Sequence, residues 1–104
     1  MTEFQRRVLE YVASVPKGKV VTYRQIAVAL GNPGYTHAIG NALHRNPDGI
    51  KYPCYKVVNA QGMLAPAYVF GGREVQKRRL EADGIEVVDD KVDLEKYQFR
   101  NLGF

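Results

Sequence analysis

The chain has 104 residues, a length that suits one domain with a single hydrophobic core. Its one cysteine excludes an internal disulfide, and no stretch approaches the roughly 20 apolar residues that span a bilayer. Residues 1–13 are amphipathic and charged, unlike the apolar centre of a signal peptide. We therefore expect a reduced, cytoplasmic protein that is not bound to a membrane.

The net charge of +4 is unevenly distributed along the chain. Residues 1–80 hold 12 Lys and Arg against 4 Asp and Glu, whereas residues 81–104 hold 3 against 7, so the two parts carry +8 and −4. A basic body with an acidic tail is typical of a nucleic-acid binder, because neutralisation of phosphates drives sequence-independent affinity. A well-solvated surface of mixed charge is the alternative.

Capping-box patterns at residues 2–5 and 22–25 mark two helix starts. The first precedes apolar residues at the spacing of one helical face, which predicts a helix over residues 2–15. The second has Val21 placed to pack against the first turn. Its helix should end near Leu30, before a Gly-Asn-Pro-Gly turn.

Apolar residues recur at helical spacing between residues 38 and 43 and predict a third helix. Two short helices joined by a glycine-containing turn are typical of a helix-turn-helix. The opposite face of the third helix carries His37, Asn41 and His44 around the small Gly40. Such a slim polar face would let the helix enter a groove of DNA, and an ordinary solvated face is the alternative.

Cys54 follows Pro53 directly and precedes a β-branched run. Because proline restricts its own backbone and that of the residue before it, the thiol is predicted to lie on a stiff turn. A thiol held in this way suggests chemistry. A single cysteine is, however, more often a small buried hydrophobe, so both interpretations stay open at this stage.

Residues 56–58 and 63–64 flank an Asn-Ala-Gln-Gly turn and predict a β-hairpin, which would form a wing after the helix-turn-helix. A basic helix is predicted over residues 73–82 and a further strand over residues 85–88. The sequence has no phosphate-binding loop and no spacing typical of metal ligands, so we expect neither a metal nor a cofactor.

These motifs follow one another as a Val-Thr-Tyr capped helix, a Gly-Asn-Pro turn, a helix with Ala-Ile-Gly-Asn-Ala-Leu, then Arg-Asn-Pro, Pro-Cys-x-x-Val-Val and a Gly-Gly helix. In this order they resemble the DNA-binding and active-site domain of the O6-alkylguanine-DNA alkyltransferases and of their alkyltransferase-like relatives. The resemblance covers roughly residues 2–88 of a single domain over residues 1–104, with residues 89–104 as a C-terminal extension. It implies a mostly α fold with a small β wing, a winged helix-turn-helix.

The family resemblance also implies an activity. Such a protein docks its recognition helix in the minor groove, flips a damaged guanine into a pocket, and either accepts the alkyl group on cysteine or holds the lesion. Flipping is necessary because the O6 substituent is inaccessible inside the base stack. The implied partners are double-stranded DNA with O6-alkylguanine and nucleotide-excision-repair proteins. The implied state is a monomer without cofactors, nucleoid-associated in the cytoplasm or nuclear in a eukaryote.

The resemblance assigns roles by position. Cys54 matches the alkyl acceptor, Tyr23 matches the tyrosine at the flipped base and its phosphate, and Asn46 matches the asparagine that links the recognition helix to the active-site turn. With Tyr23, the implied DNA-binding residues are Thr36, His37, Gly40, Asn41, His44 and Arg45. The implied lesion pocket consists of Tyr23, Pro53, Cys54, Tyr55, Tyr68, Val69 and Phe70.

Two departures from the family pattern bear on activity. In the active transferases a histidine follows the cysteine and, oriented by a glutamate, takes its proton, whereas here Tyr55 follows Cys54 and the matching carboxylate is Asp83. A free thiol with a pKa of about 8.5 is only a few per cent ionised at neutral pH, and a tyrosine with a pKa of about 10 cannot act as its base. The relay is therefore predicted to be broken. His37 replaces the arginine that enters the duplex and lacks its fixed charge.

The leading interpretation is a DNA-repair protein that binds O6-alkylguanine and transfers the alkyl group to Cys54 poorly. The first alternative is a fully active, single-turnover methylated-DNA–protein-cysteine methyltransferase. The second is a winged-helix DNA-binding regulator with no role in damage. A thiol-based redox sensor is least favoured, because the chain holds no resolving cysteine.

Overall fold

The computed structural model describes residues 1–100. Its helices are α1 (Glu3–Ala13), α2 (Tyr23–Ala29), α3 (Thr36–His44), α4 (Gly72–Ala82) and the short α5 (Leu94–Tyr97). The strands of this part of the chain are β1 (Val21–Thr22) and β2 (Val57–Val58), and its 3₁₀ turns are Pro33–Tyr35 and Cys54–Lys56. The fold is mostly helical, as predicted. No helix within residues 1–100 has both the length and the apolar character to cross a bilayer.

Hydrogen bonds at the caps confirm both predicted helix starts. Thr2 Oγ1 accepts a hydrogen bond from Gln5 N (3.0 Å) at α1, and the matching bond at α2 joins Gln25 N to the hydroxyl of Thr22 (3.1 Å). At α2 the box is complete, because Thr22 N also donates to Gln25 Oε1 (2.9 Å). The Gln5 side chain donates to Arg45 O (3.1 Å), which connects α1 to the end of α3. Capping thus fixes where α2 begins.

The sheet differs from the predicted hairpin. β2 pairs in parallel with β1, and the partners are Val57 with Val21 and Val58 with Thr22. The turn after β2 does form, since Asn59 N donates to Met63 O (3.1 Å), but residues 63–64 do not extend it into a ladder. The predicted partner of residues 57–58 was therefore wrong. All four residues of the observed pairing are buried, so the β-branched run pairs inside the core and not with the surface turn.

The predicted strand at residues 85–88 was also wrong. This segment makes only an isolated antiparallel bridge to Lys91, across a turn whose two central residues have positive φ. Ile85 and Val87 are nevertheless buried. The alternating apolar pattern therefore reflects packing on the core and not strand pairing.

Buried side chains form two clusters. The first joins α1, α2 and α3 to Cys54 and Tyr68, and the second joins Val20 and Leu80 to the chain after α4. The segment that follows α5 is attached to the strand region, because Phe99 N donates to Val20 O (2.7 Å). The part of the C-terminal extension up to residue 100 therefore packs against the rest of the domain.

Candidate nucleic-acid interface and base pocket

The outward face of α3 holds the residues that the resemblance assigned to DNA. The exposed residues of this face are Thr36, His37, Asn41, His44 and Arg45, with Gly40 half-buried among them. The opposite face is buried through Ile39, Ala42 and Leu43. An added Cβ at Gly40 would have no atom within 4 Å, so this glycine leaves open space on the outward face. The helix thus presents a slim, polar surface.

An open groove of about 630 Å³ runs beside this face. Tyr23 and Arg24 line it from the first turn of α2, and residues 59–61 line it from the turn after β2. Sequence reasoning did not assign Arg24 or this turn to the site. The sequence does contain signals for both, because Arg24 follows Tyr23 directly and the turn is predicted to belong to a wing. Three separate elements therefore form one concave surface.

A smaller cavity of about 50 Å³ lies behind the groove. Cys54, Tyr68 and Val69 contribute to its walls. Tyr23 and Gly40 line both the cavity and the groove. The structure thus brings the thiol, two of the three predicted pocket tyrosines (Tyr23 and Tyr68) and α3 together, and the cavity adjoins the exposed face.

Three residues that the resemblance placed in the pocket do not line this cavity: Pro53, Tyr55 and Phe70. Phe70 packs edge-on against Tyr68, with ring centroids 5.9 Å apart. It also lies against Gly49, where an added Cβ would come within 2.8 Å of the Phe70 ring. Phe70 therefore supports the cavity wall from behind.

Cys54 begins a 3₁₀ turn and is 5% exposed. Burial raises the pKa of its thiol, and hydrogen bonding by the Asn46 side chain opposes this increase without cancelling it. Asn46 is itself buried, and its Nδ2 donates to Tyr52 O (2.7 Å) while its Oδ1 accepts from Asp48 N (3.0 Å). Asn46 thus links the end of α3 to the loop before Cys54, the position that the predicted hinge requires.

The side chains at the relay positions make other interactions. Asp83 Oδ2 lies 3.2 Å from Lys56 Nζ and accepts a hydrogen bond from Gly18 N (2.9 Å). Lys56 Nζ also donates to two backbone carbonyls after α1 (2.9 and 3.3 Å), so its charge is held there and not at the thiol. Burial raises the pKa of Tyr55, which keeps its phenol protonated at neutral pH. Within residues 1–100, none of these three side chains makes a hydrogen bond to the Cys54 thiol, and a protonated phenol cannot accept its proton.

Gln76 on α4 is a supporting residue that sequence reasoning missed. It is fully buried, and its Nε2 donates to Tyr55 O (3.0 Å) and Val57 O (3.1 Å). Its Oε1 accepts from Ala65 N (2.8 Å). Gln76 therefore holds the thiol turn and the start of the cavity wall at a fixed separation. The available signal was its place four residues before Leu80, on the same helical face.

The fold and this surface define a helix-turn-helix domain, in which α2 and α3 form the motif and the turn after β2 lies beside them. Comparison with known proteins identifies the family. The model of the 6-O-methylguanine DNA methyltransferase DNA-binding domain matches residues 3–85. The chain belongs to this family.

Similar proteins include both alkyltransferase-like and methyltransferase members. The DNA base-flipping protein of Vibrio parahaemolyticus is 40% identical over 96% of this chain and 99% of its own length. Alkyltransferase-like protein 1 of Schizosaccharomyces pombe is 33% identical over 96% of this chain and 97% of its own length. A crystal structure of S. pombe Atl1 with damaged DNA containing O6-carboxymethylguanine matches 97% of this chain and 98% of that chain, with a TM-score of 0.87 and 31% identity. The chain spans 47%, 33% and 38% of the length of three methylated-DNA–protein-cysteine methyltransferases that it matches.

Proposed function

We propose that this protein binds O6-alkylguanine in double-stranded DNA and acts in DNA repair as a damage-binding protein. In this proposal α3 enters the minor groove, and the damaged guanine rotates out of the duplex into the cavity beside Cys54. One observation supports it above all, which is that Tyr23 and Gly40 line both the groove and the cavity. A base that leaves a duplex docked on α3 would therefore reach the thiol by a direct path.

The side chains around the groove suit contacts with both the phosphate backbone and the bases of a duplex. Arg24 lines the groove and Arg45 follows the last residue of α3; both are exposed, and cations of this kind supply phosphate contacts and most sequence-independent affinity. Thr36 and Asn41 offer hydrogen bonds to sugar, phosphate or base edges. His37 lies at the start of α3, where its ring would fill the space that the flipped base leaves.

The cavity has to widen when a base enters it. Its volume of about 50 Å³ accommodates a few water molecules but not a purine. The wall over residues 65–70 contains no helix or strand and follows directly from the turn after β2. We propose that this wall moves outward when the lesion binds.

We infer that alkyl transfer to Cys54 is slow at neutral pH. In the transfer, the thiolate sulfur bonds to the alkyl carbon while the bond from that carbon to O6 breaks and its electron pair stays with guanine. The thiol must first lose its proton. Burial raises the pKa of Cys54, the phenol of Tyr55 stays protonated at neutral pH, and the carboxylate of Asp83 is paired with Lys56 and Gly18 N. The expected outcome is a lesion that is bound but not repaired.

A lesion that is held without transfer must be removed by other proteins. We propose nucleotide-excision-repair proteins as those partners, and a site of action wherever the DNA lies, in the nucleoid or the nucleus. The groove and the cavity both belong to one chain, so a monomer suffices for binding. Light scattering after gel filtration, with and without duplex, tests the monomer directly.

A titration with matched duplexes tests the binding proposal. Two duplexes that differ only in O6-methylguanine or guanine at one position are titrated at equal salt, because phosphate contacts make affinity depend on salt. The proposal predicts tighter binding of the damaged duplex. Equal affinity for both duplexes would instead favour a winged-helix regulator with no role in damage.

Mass spectrometry of the intact protein separates binding from transfer. After incubation with the O6-methylguanine duplex at pH 7, an unchanged mass together with a retarded gel band indicates binding alone. Complete conversion to a protein heavier by one methylene, which Cys54→Ser abolishes, would instead establish a fully active methyltransferase.

A further inference from the structure

The Tyr68 hydroxyl is a buried polar group whose role the proposed function does not explain. Tyr68 is 7% exposed, and its hydroxyl oxygen has no hydrogen-bond partner within residues 1–100. A buried hydroxyl without a partner destabilises the free protein, so such a group calls for an explanation. Because Tyr68 also lines the cavity that holds Cys54, a ligand in that cavity is the natural partner.

The tyrosine is held in place by its surroundings. Gly72 N donates to Tyr68 O (2.8 Å), and Tyr68 N donates to Ala65 O (3.2 Å). The ring packs edge-on against Phe70. These contacts hold Tyr68 within the wall of the free protein, where its hydroxyl is buried.

The surroundings of the hydroxyl keep it a hydrogen-bond donor. Burial first, and then the charge of Cys54, raise the pKa of Tyr68 to about 12, so the phenol stays a donor at neutral pH. The positive charge of Arg79 opposes this increase in the pKa of Tyr68 and also lowers that of Cys54. Tyr68 and Cys54 both line the cavity, so a hydrogen-bond donor and the thiol border the same space.

We propose that Tyr68 is a specificity residue, whose hydroxyl donates a hydrogen bond to an acceptor atom on the O6 substituent of the bound guanine. The proposal rests on the proposed function, because the O6 substituent lies beside Cys54 only if the lesion enters this cavity. It names the preferred lesion class as guanines whose O6 group ends in an oxygen acceptor, such as a carboxylate. Purely hydrocarbon groups of the same shape leave the hydroxyl unpaired.

The test compares three duplexes of one sequence and two forms of the protein. The first duplex contains O6-carboxymethylguanine, the second contains O6-isobutylguanine, which has a similar shape but no acceptor, and the third is undamaged. Tyr68→Phe removes one oxygen atom and keeps the ring. It should weaken binding of the carboxymethyl duplex by about tenfold or more, as expected for loss of a hydrogen bond to a charged group. Binding of the isobutyl duplex should change less than twofold.

A second measurement on the same variant uses the free protein. Tyr68→Phe should raise the midpoint of thermal unfolding, because it removes an unpaired buried hydroxyl. A lowered midpoint would show that the hydroxyl has a partner in the free protein, and would overturn the proposal.

The outcomes distinguish this proposal from the one it rests on. Equal weakening of the carboxymethyl and isobutyl duplexes by Tyr68→Phe would show that Tyr68 acts by packing alone and overturn its role in specificity, while lesion binding would stand. Equal affinity of the wild-type protein for all three duplexes would overturn lesion binding and the role of Tyr68 with it.

Discussion

Replacement of Asp83 by Asn tests whether this carboxylate supports the fold or serves as a proton relay. The side chains of Asp83 and Lys56 are 10% and 5% exposed, and their charged atoms lie 3.2 Å apart. Removal of one partner from a buried ion pair costs about 3–5 kcal/mol, because the other charge stays buried without compensation. The carbonyl oxygen of Asn can still accept from Gly18 N, so we expect a loss near the lower end, about 3 kcal/mol. A domain of this size has a total stability of about 5–15 kcal/mol, so the effect is large.

Urea unfolding measures this loss, with an unchanged dependence on denaturant as the check on two-state behaviour. Lys56→Met is the matched variant from the other side of the pair and should cost a similar amount. The double variant Lys56→Met with Asp83→Leu should lose less free energy of unfolding than the two single variants combined, because no buried charge remains. The rate of alkyl transfer per folded molecule should not change in Asp83→Asn. A loss below about 1 kcal/mol, with transfer abolished, would refute the structural role and support a relay.

Three further predictions concern DNA contacts and the thiol. Arg45→Ala should weaken binding of all duplexes alike and reduce the slope of log affinity against log salt concentration by about one. The control is Arg78→Ala, at an exposed residue of α4, which should leave that slope unchanged. Equal slopes in both variants would remove Arg45 from the interface. Because burial raises the pKa of Cys54, the rate of any alkyl transfer should increase with pH. Below that pKa the increase should be about tenfold per pH unit, since the ionised fraction of the thiol grows in this proportion. A rate that is flat between pH 6.5 and 8.5 would contradict the mechanism. Tyr55→His should raise the rate of alkyl transfer at pH 7, because an imidazole accepts a proton at this pH and a phenol does not. An unchanged rate in single-turnover measurements would show that the missing base does not limit the transfer.

Local features of the chain could be predicted from the sequence because their causes lie within a few residues. The cap of α2 depends on Thr22 and Gln25, three residues apart, and both of its hydrogen bonds form. The outward face of α3 follows from helical spacing, with His37 and Asn41 exposed and Ile39 buried. The placement of Cys54 on a turn follows from the proline before it.

Features that depend on distant parts of the chain could not be predicted in the same way. β2 could have paired with the residues after its turn, and its parallel pairing with β1 is decided by burial between segments more than 30 residues apart. Lys56 lies two residues after Cys54 in the chain, but its side chain forms an ion pair with Asp83 and hydrogen bonds to carbonyls after α1, which the local sequence does not show. Gln76 was missed because its place on the same helical face as Leu80 does not reveal its three backbone partners, which lie 11 to 21 residues away in the chain.

The most direct test of the central claim is a crystal structure of this protein bound to a duplex with one O6-methylguanine. The account predicts α3 in the minor groove and the damaged base outside the stack, between Tyr23 and Tyr68, with its O6 substituent in van der Waals contact with Cys54 Sγ. A duplex docked on another face, or a damaged base that remains stacked while α3 is in the groove, would contradict it.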